Sequence, residues 1–302
     1  MTTVKTSVRP AFRRRPNLTP VIFLSPTLAL FAIFIAYPFL RAIWLSFSNT
    51  TLFGQVTGFA GFSNYSSIFA DPAFSTYVSN SLEWTFGGVF LQLVFGTIGA
   101  LMLNQRFKLR GAVRGLAMVP WATPSILVAL MWMWLLDPNH GLINSALLHL
   151  NIIHAPIAFL SDQGTALPTL IAIDAWQGIP FFAIMILAAL QSVPPELKES
   201  ASTDGCGPVK VFTNVVIPHI LPTVLIVVVL RIIWTANYID LAYVLTGGGP
   251  GHASTTVPLQ SYLTAYKSGD FGGGAAYAMI QAVVLAILVT IYVRLTNRRE
   301  PR

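Results

Sequence analysis

Apolar windows about 20 residues long recur six times along this 302-residue chain. That length is what an α-helix needs to cross the roughly 30 Å hydrocarbon core of a bilayer. The windows fall at Val21–Leu45, Leu82–Leu103, Ala112–Leu136, Leu167–Leu190, Ile217–Val244 and Ala275–Leu295. Within lipid every backbone amide must be satisfied inside the protein, so the pattern predicts an all-α, polytopic fold with six transmembrane helices. Composition agrees, because 54% of the residues are hydrophobic and 10% are charged, against about 25% charged in soluble domains. The length fits one membrane domain over residues 21–302, preceded by a basic segment over 1–20. Arg13, Arg14 and Arg15 before an apolar run resemble the start of a secretory signal. However, Val21–Leu45 exceeds the 7–15 residues of a signal core, so it reads as an uncleaved first span.

The basic residues set an expected orientation. Lys5, Arg9 and Arg13 to Arg15 precede the first span, while Arg106, Lys108, Arg110 and Arg114 fill the second connection. Lys198 and Lys210 lie in the fourth, and Arg298, Arg299 and Arg302 form the tail. The odd connections hold Lys267 as their one basic residue and carry Asp71, Asp137, Asp162 and Asp270. The positive-inside rule therefore puts both termini and the Pro194 loop of this multi-pass chain in the cytoplasm. A net charge of +7 could signal nucleic acid, but the basic residues flank apolar runs instead of forming a face. The single cysteine, Cys206, excludes an intrachain disulfide and a CxxC metal site. His140, His149 and His154 share one connection without metal-ligand spacing, so no metal is expected. In that connection Gly141-Leu142-Ile143-Asn144 opens an amphipathic run to Leu150.

Pro38, Pro120, Pro124, Pro180 and Pro222 fall inside expected spans, which predicts bent helices around packed neighbours or a cavity. Polar groups in spans are costly and so point to function. In the fourth span Asp174, Gln177 and Phe181 share one helical face, with Trp176 and Gly178 beside them. In the fifth, Arg231 and Thr235 stand at i, i+4, with Trp234, Asn237 and Asp240 nearby. Amide and hydroxyl groups beside aromatic rings suit sugars, whose hydroxyls need polar partners and whose CH faces rest on rings. Arg231 has two readings: it pairs with an anionic group on a substrate, or it pairs inside the protein, with Asp174 as the plausible partner across a helix interface.

The longest polar interruption with helix grammar of its own runs from Pro194 to Pro222. Pro194 and Pro195 suit a first helical turn, and Glu196 and Glu199 put negative charge near its positive end. Gly205, Gly207 and Pro208 break that helix, and Val209, Phe212 and Val216 give a second short segment an apolar face. The result is a compact knob suited to docking a soluble partner. Glu199-Ser200-Ala201-x-x-Asp204-Gly205, followed by Phe212, Ile217 and Pro218, resembles the EAA loop of binding-protein-dependent ABC importer permeases. Leu245-Thr246-Gly247-Gly248-Gly249-Pro250 resembles a segment of the sugar-permease branch, the MalF/UgpA type.

That resemblance implies a type I ABC importer permease (MetI-like) fold in a bacterial cytoplasmic (inner) membrane. Glu199, Ser200, Ala201, Asp204, Gly205 and Phe212 would couple it to an ATPase, and Gly205→Asp would uncouple it by overfilling the bend. Positions like Asp174, Gln177, Gly178, Phe181, Arg231 and Thr235 line the sugar cavity of related permeases; Trp176, Trp234 and Asn237 complete the expected set here. The implied partners are a second homologous permease subunit, two ATPase subunits, an extracytoplasmic sugar-binding protein and membrane lipid. ATP and magnesium would sit on the ATPases, since no GxxxxGK[ST] loop occurs here and this chain is expected to bind no cofactor and to be no enzyme. The expected cargo is a carbohydrate, with an anionic (sulfonated or phosphorylated) sugar as the narrower version. An ion-coupled secondary transporter or an intramembrane enzyme is the alternative; the first would call for more intramembrane carboxylates than Asp174 and Asp240, and the second for a nucleophile–base pair or facing carboxylate cluster, which these two support thinly.

Overall fold

The computed structural model describes residues 19–297, with side chains from 23 to 294. The basic residues Lys5, Arg9, Arg13, Arg14, Arg15, Arg298, Arg299 and Arg302 lie outside the described residues. The chain divides into two compact units, Met1–Trp44 and Leu45–Arg302. The first unit holds all but the last two residues of the apolar helix α1 (Phe23–Ser46), whose large side chains, among them Phe23, Leu28, Phe34 and Leu40, are exposed. Such a helix is stable only where lipid or protein surrounds it.

The second unit opens with a hairpin that the all-α expectation did not include. Strands β1 (Ser48–Thr50) and β2 (Val56–Phe59) pair antiparallel, with Ser48 opposite Phe59 and an irregularity between Asn49 and Thr50. Helix α2 (Ser63–Ala70) is tied to it by Asn64, whose Nδ2 donates to the carbonyls of Ser46 and Ser48 at 3.0 and 3.1 Å. Four further helices are long and apolar enough to cross a membrane, or contain such a stretch: α3 (Phe74–Asn104), α7 (Ala166–Gln191), the run Pro208–Leu245, and α13 (Phe271–Asn297). The expected third span is not one helix. Its halves, α4 (Arg110–Ala122) and α5 (Ser125–Leu135), meet at 89°, so the described residues hold five candidate spans, or six if the bent pair counts as one.

The bend falls at Thr123-Pro124, because the residue before a proline is pushed to extended backbone and Thr123 has ψ 132°. Pro180 and Pro222, by contrast, sit inside helices that continue past them. Within Pro208–Leu245 a short turn, α9 (Pro208–Val211), runs through a widened turn at Phe212–Val216 into α10 (Ile217–Ala236). The second segment of the Pro194–Pro222 loop is thus the start of the fifth span. That span stops at Asn237 and resumes as α11 (Asp240–Leu245), followed by α12 (Val257–Tyr262).

Helix α7 is the centre of the unit: 61% of its apolar window is buried, against 33% for α3 and 11% for α13. One core cluster joins Phe182, Ile186 and Leu190 to Val216, Ile220 and Val227. A second joins Trp84, Leu170 and Ile173 to Val128, Leu241 and Leu259. Glycine allows α3 and α7 to approach closely: a Cβ on Gly96 would collide with Phe182 and stand 3.2 Å from the Ala183 nitrogen. In the connection after α5, the run expected from Leu142 to Leu150 forms the helix α6 (Leu142–His149), with Leu142 exposed and Asn144 buried. The backbone amides of His140 and Asn139 hold the Asp137 carboxyl just before it below the usual carboxylate range.

Candidate functional site

Where α3, α7 and α10 meet, three polar side chains from three helices form one network. Asp174 on α7 is fully buried, and Gln92 on α3 donates from Nε2 to Asp174 Oδ2 at 2.7 Å and to the Asp174 carbonyl at 3.1 Å. Arg231 on α10 donates from Nε to Gln92 Oε1 at 2.6 Å and from an Nη to Asp174 Oδ1 at 3.3 Å. The ion pair is intramolecular, as the second reading of Arg231 expected. A buried carboxylate requires such partners, because an uncompensated charge in this setting costs several kcal/mol.

Local structure positions each member. A widened turn at Glu83–Gly87 in α3 accompanies the burial of Trp84, whose Nε1 donates to the Thr235 carbonyl at 2.9 Å near the end of α10. Gly88 faces Asp174, and an added Cβ there would stand 3.0 Å from Oδ2. Gly178 faces Gln92: a Cβ would collide with its amide, so the glycine makes room for the network.

Beside this network lies a cavity of about 150 Å³, lined by Trp121, Gln177, Arg231, Trp234, Thr235 and Tyr238. Gln177 Nε2 donates to the Thr123 carbonyl at 3.2 Å, at the bend between α4 and α5, and Tyr238 donates to Gln177 Oε1 at 3.3 Å. Thr235 Oγ1 is buried without a partner. Phe181 stacks on Trp121 at 5.9 Å and packs against Trp234 at 5.4 Å, backing the aromatic side of the wall.

Of the nine expected binding residues, Gln177, Arg231, Trp234 and Thr235 line the cavity, Phe181 supports it and Asp174 sits behind Arg231. The remaining three are used otherwise. Trp176 packs edge-on against Trp132 at 5.5 Å, Gly178 gives way to Gln92, and Asn237 Nδ2 bonds the Ile233 carbonyl of its own helix at 2.8 Å, where α10 stops. Gln92, Trp121 and Tyr238 were not anticipated. A lone glutamine amid Phe90-Leu91 and Leu93-Val94-Phe95 is the same signal that singled out Asp174, and could have been found.

At the other candidate site, α8 (Pro195–Thr203) has no buried residue. It ends in a Schellman arrangement: Cys206 N–H donates to the Ala201 carbonyl at 3.0 Å and Gly205 N–H to the Ser202 carbonyl at 3.1 Å. Gly205 has φ +82°, and a Cβ there would meet nothing within 4 Å. The bend therefore needs glycine for its backbone angle, and the expected overfilling by Gly205→Asp is corrected. Glu199, Ser200, Asp204 and Gly205 are exposed, Ala201 is half-buried, and Phe212 packs against the core cluster of Phe182 and Val216. The Leu245–Pro250 segment is a turn with Gly247 and Gly248 at positive φ, pinned by Asn80, whose Nδ2 donates to the carbonyls of His252 and Thr255 at 2.9 and 3.0 Å. No cluster of metal-ligating side chains occurs among the described residues.

The profile of the family described as "Binding-protein-dependent transport system inner membrane component" matches residues 92–301. The chain belongs to that family. The trehalose/maltose transport system permease protein MalF of Thermococcus litoralis is 31% identical over 281 residues, 92% of this chain and 94% of the relative. The sulfoquinovosyl glycerol transport system permease protein SmoG of Agrobacterium fabrum is 29% identical over 285 residues, 94% of this chain and 92% of the relative. The fold matches a chain of a bacterial ABC transporter involved in the import of the acidic polysaccharide alginate, with a TM-score of 0.82 at 22% identity, covering 94% of this chain and 96% of that one. The chain is therefore an integral membrane permease of the MetI-like fold, a transport subunit and not an enzyme.

Proposed function

We propose that this chain passes a carbohydrate, received from an extracytoplasmic binding protein, through the cavity bounded by α4, α7 and α10. The observation that carries the reading is the cavity wall: Gln177 and Thr235 offer hydrogen-bonding groups to hydroxyls beside the rings of Trp121 and Trp234. The transport systems named for the two relatives support the carbohydrate class. A volume of about 150 Å³ is small beside the roughly 300–1,000 Å³ of a typical small-molecule site. One chain thus supplies part of a sugar site, and a second homologous permease completes the pathway.

Two ATPase subunits carry ATP and magnesium and dock on α8 through Glu199, Ser200, Ala201, Asp204 and Gly205, with exposed Leu197 and Val209 as apolar anchors. Phe212 acts one step inward: it joins α8 to the core, so displacement of α8 reaches α10 as rigid-body tilting. The termini and α8 face the cytoplasm, by the charge asymmetry of the connections.

The test is uptake by the assembled importer in proteoliposomes. Gln177→Leu and Thr235→Val should each cut sugar uptake at least tenfold while the complex still assembles, and normal uptake by both would overturn the site. The second reading, an anionic sugar, is favoured by the presence of Arg231 in the wall and opposed by its bonds to Asp174 and Gln92. Loss of preference for a charged analogue in Arg231→Gln would support it; unchanged preference would leave the neutral sugar.

A further inference from the structure

An apolar groove of about 480 Å³ opens between the end of α3, the start of α4 and the middle of α7, lined among others by Met102, Leu103, Phe107, Val113, Ile179 and Ala183. Its rim is basic. Arg106, Lys108 and Arg110 are exposed, and the first two alternate in sequence with the lining residues Gln105 and Phe107. Between Trp84 and Leu136 the sequence contains no Asp or Glu. None of the three cations takes part in an ion pair among the described residues.

Helix α4 adds a second observation. Arg110 and Arg114 share one face at i, i+4, while Val113, Leu116 and Ala117 are the apolar residues between and after them. Arg114 Nη2 donates to the Leu103 carbonyl at 3.0 Å, which ties α4 to the end of α3. Leu109 adopts a left-handed backbone, φ 62°, and is exposed, as are Leu116 and Val113. With α4 and α5 meeting at 89°, both halves cannot run along the membrane normal. A short helix with arginines at its start and exposed leucines beside them is the composition of an interfacial segment.

We propose that this groove holds an acyl chain of an anionic phospholipid whose phosphate is held by Arg106, Lys108 and Arg110. Apolar lining bordered by a segment of exposed cations outside any described ion pair matches a lipid with a negative headgroup, and basic pockets between spanning helices bind such headgroups. A free phosphate has no use for the apolar groove. A zwitterionic lipid has no use for the cations.

The experiment titrates the purified full-length chain in neutral detergent with dioleoyl phosphatidylglycerol, dioleoyl phosphatidylcholine or inorganic phosphate, and counts bound lipid by native mass spectrometry. Phosphatidylglycerol should bind, and should bind on the order of 100-fold more weakly to the triple variant Arg106→Gln, Lys108→Gln, Arg110→Gln, since each cation near a phosphate contributes about fivefold. Ala117→Phe, which fills the groove and leaves the charges in place, should also lose the lipid. Phosphatidylcholine binding as tightly, an unaltered triple variant, or competition by phosphate alone at equal concentration would overturn the proposal. So would cross-linking of Val113→Cys to a second permease chain in the assembled importer, since a protein would then cover the groove.

Discussion

Gln92 Nε2 donates to Asp174 while its Oε1 accepts from Arg231 Nε at 2.6 Å, so one amide joins both members of an ion pair that itself spans 3.3 Å. A side-chain amide can do both at once, one end donating to a carboxylate and the other accepting from a guanidinium. Asp174 is wholly buried and the Arg231 side chain is 12% exposed, so neither can be left to solvent.

Removing one charge should therefore cost more than removing both. Asp174→Asn leaves an uncompensated guanidinium and should destabilise by about 3–5 kcal/mol, and Arg231→Gln by a similar amount. The double variant should recover most of the loss. Thermal unfolding of the four proteins in one detergent gives the cycle, and additive losses would show that the pair is not coupled.

Gln92 itself is probed through the glycine facing it. Gly178→Ala inserts a methyl into the glutamine amide and should cost about 1–3 kcal/mol, as overpacking does. Gly111→Ala on α4, where a Cβ would meet nothing within 4 Å, should be neutral or stabilising by up to about 1 kcal/mol. Equal effects at the two sites would mean that Gln92 moves aside without cost.

The spans were legible because bilayer thickness fixes helix length, and the network was half legible because Asp174, Gln177 and Arg231 are out of place in apolar helices. Which helix faces were opposed was not. Side-by-side placement on α7 gave Gly178 and Trp176 to the cavity, whereas packing with α3 and Trp132 takes them away from it. The 89° bend was signalled by Pro124, yet Pro180 and Pro222 gave the same signal and their helices continue. A proline removes one backbone bond, and neighbours decide whether the helix turns there. The hairpin Ser48–Phe59 is too short for a strand pattern to stand out beside a long apolar helix.

At the coupling segment, backbone conformation and not space is the constraint. Gly205→Val should cost about 1–2 kcal/mol or reshape the end of α8, because φ +82° excludes a β-branched residue. Gly205→Asn should be tolerated, since asparagine visits that region. Uptake by the assembled importer, with chain abundance as control, checks both. Equal loss in the two variants would shift the explanation from backbone angle to contact with a partner.

The glycine-rich turn depends on a side chain from another helix. Asn80 is 7% exposed and its Nδ2 serves two carbonyls, those of His252 and Thr255, while Ser81 Oγ on the same helix accepts from the Val257 amide at 2.8 Å. Asn80→Ala strands both carbonyls and should cost about 1–3 kcal/mol, the desolvation penalty of buried acceptors left unpaired. The loss should be local: hydrogen exchange should quicken over residues 246–257, while the later half of α7, around Phe182, Ile186 and Leu190, keeps its protection because its core contacts are with α3 and α10. Asn80→Asp keeps the shape but turns a donor into an acceptor facing two carbonyls, so it should be worse than alanine. If the aspartate variant exchanged as slowly as the native chain, hydrogen bonding by Asn80 would not be what holds the turn.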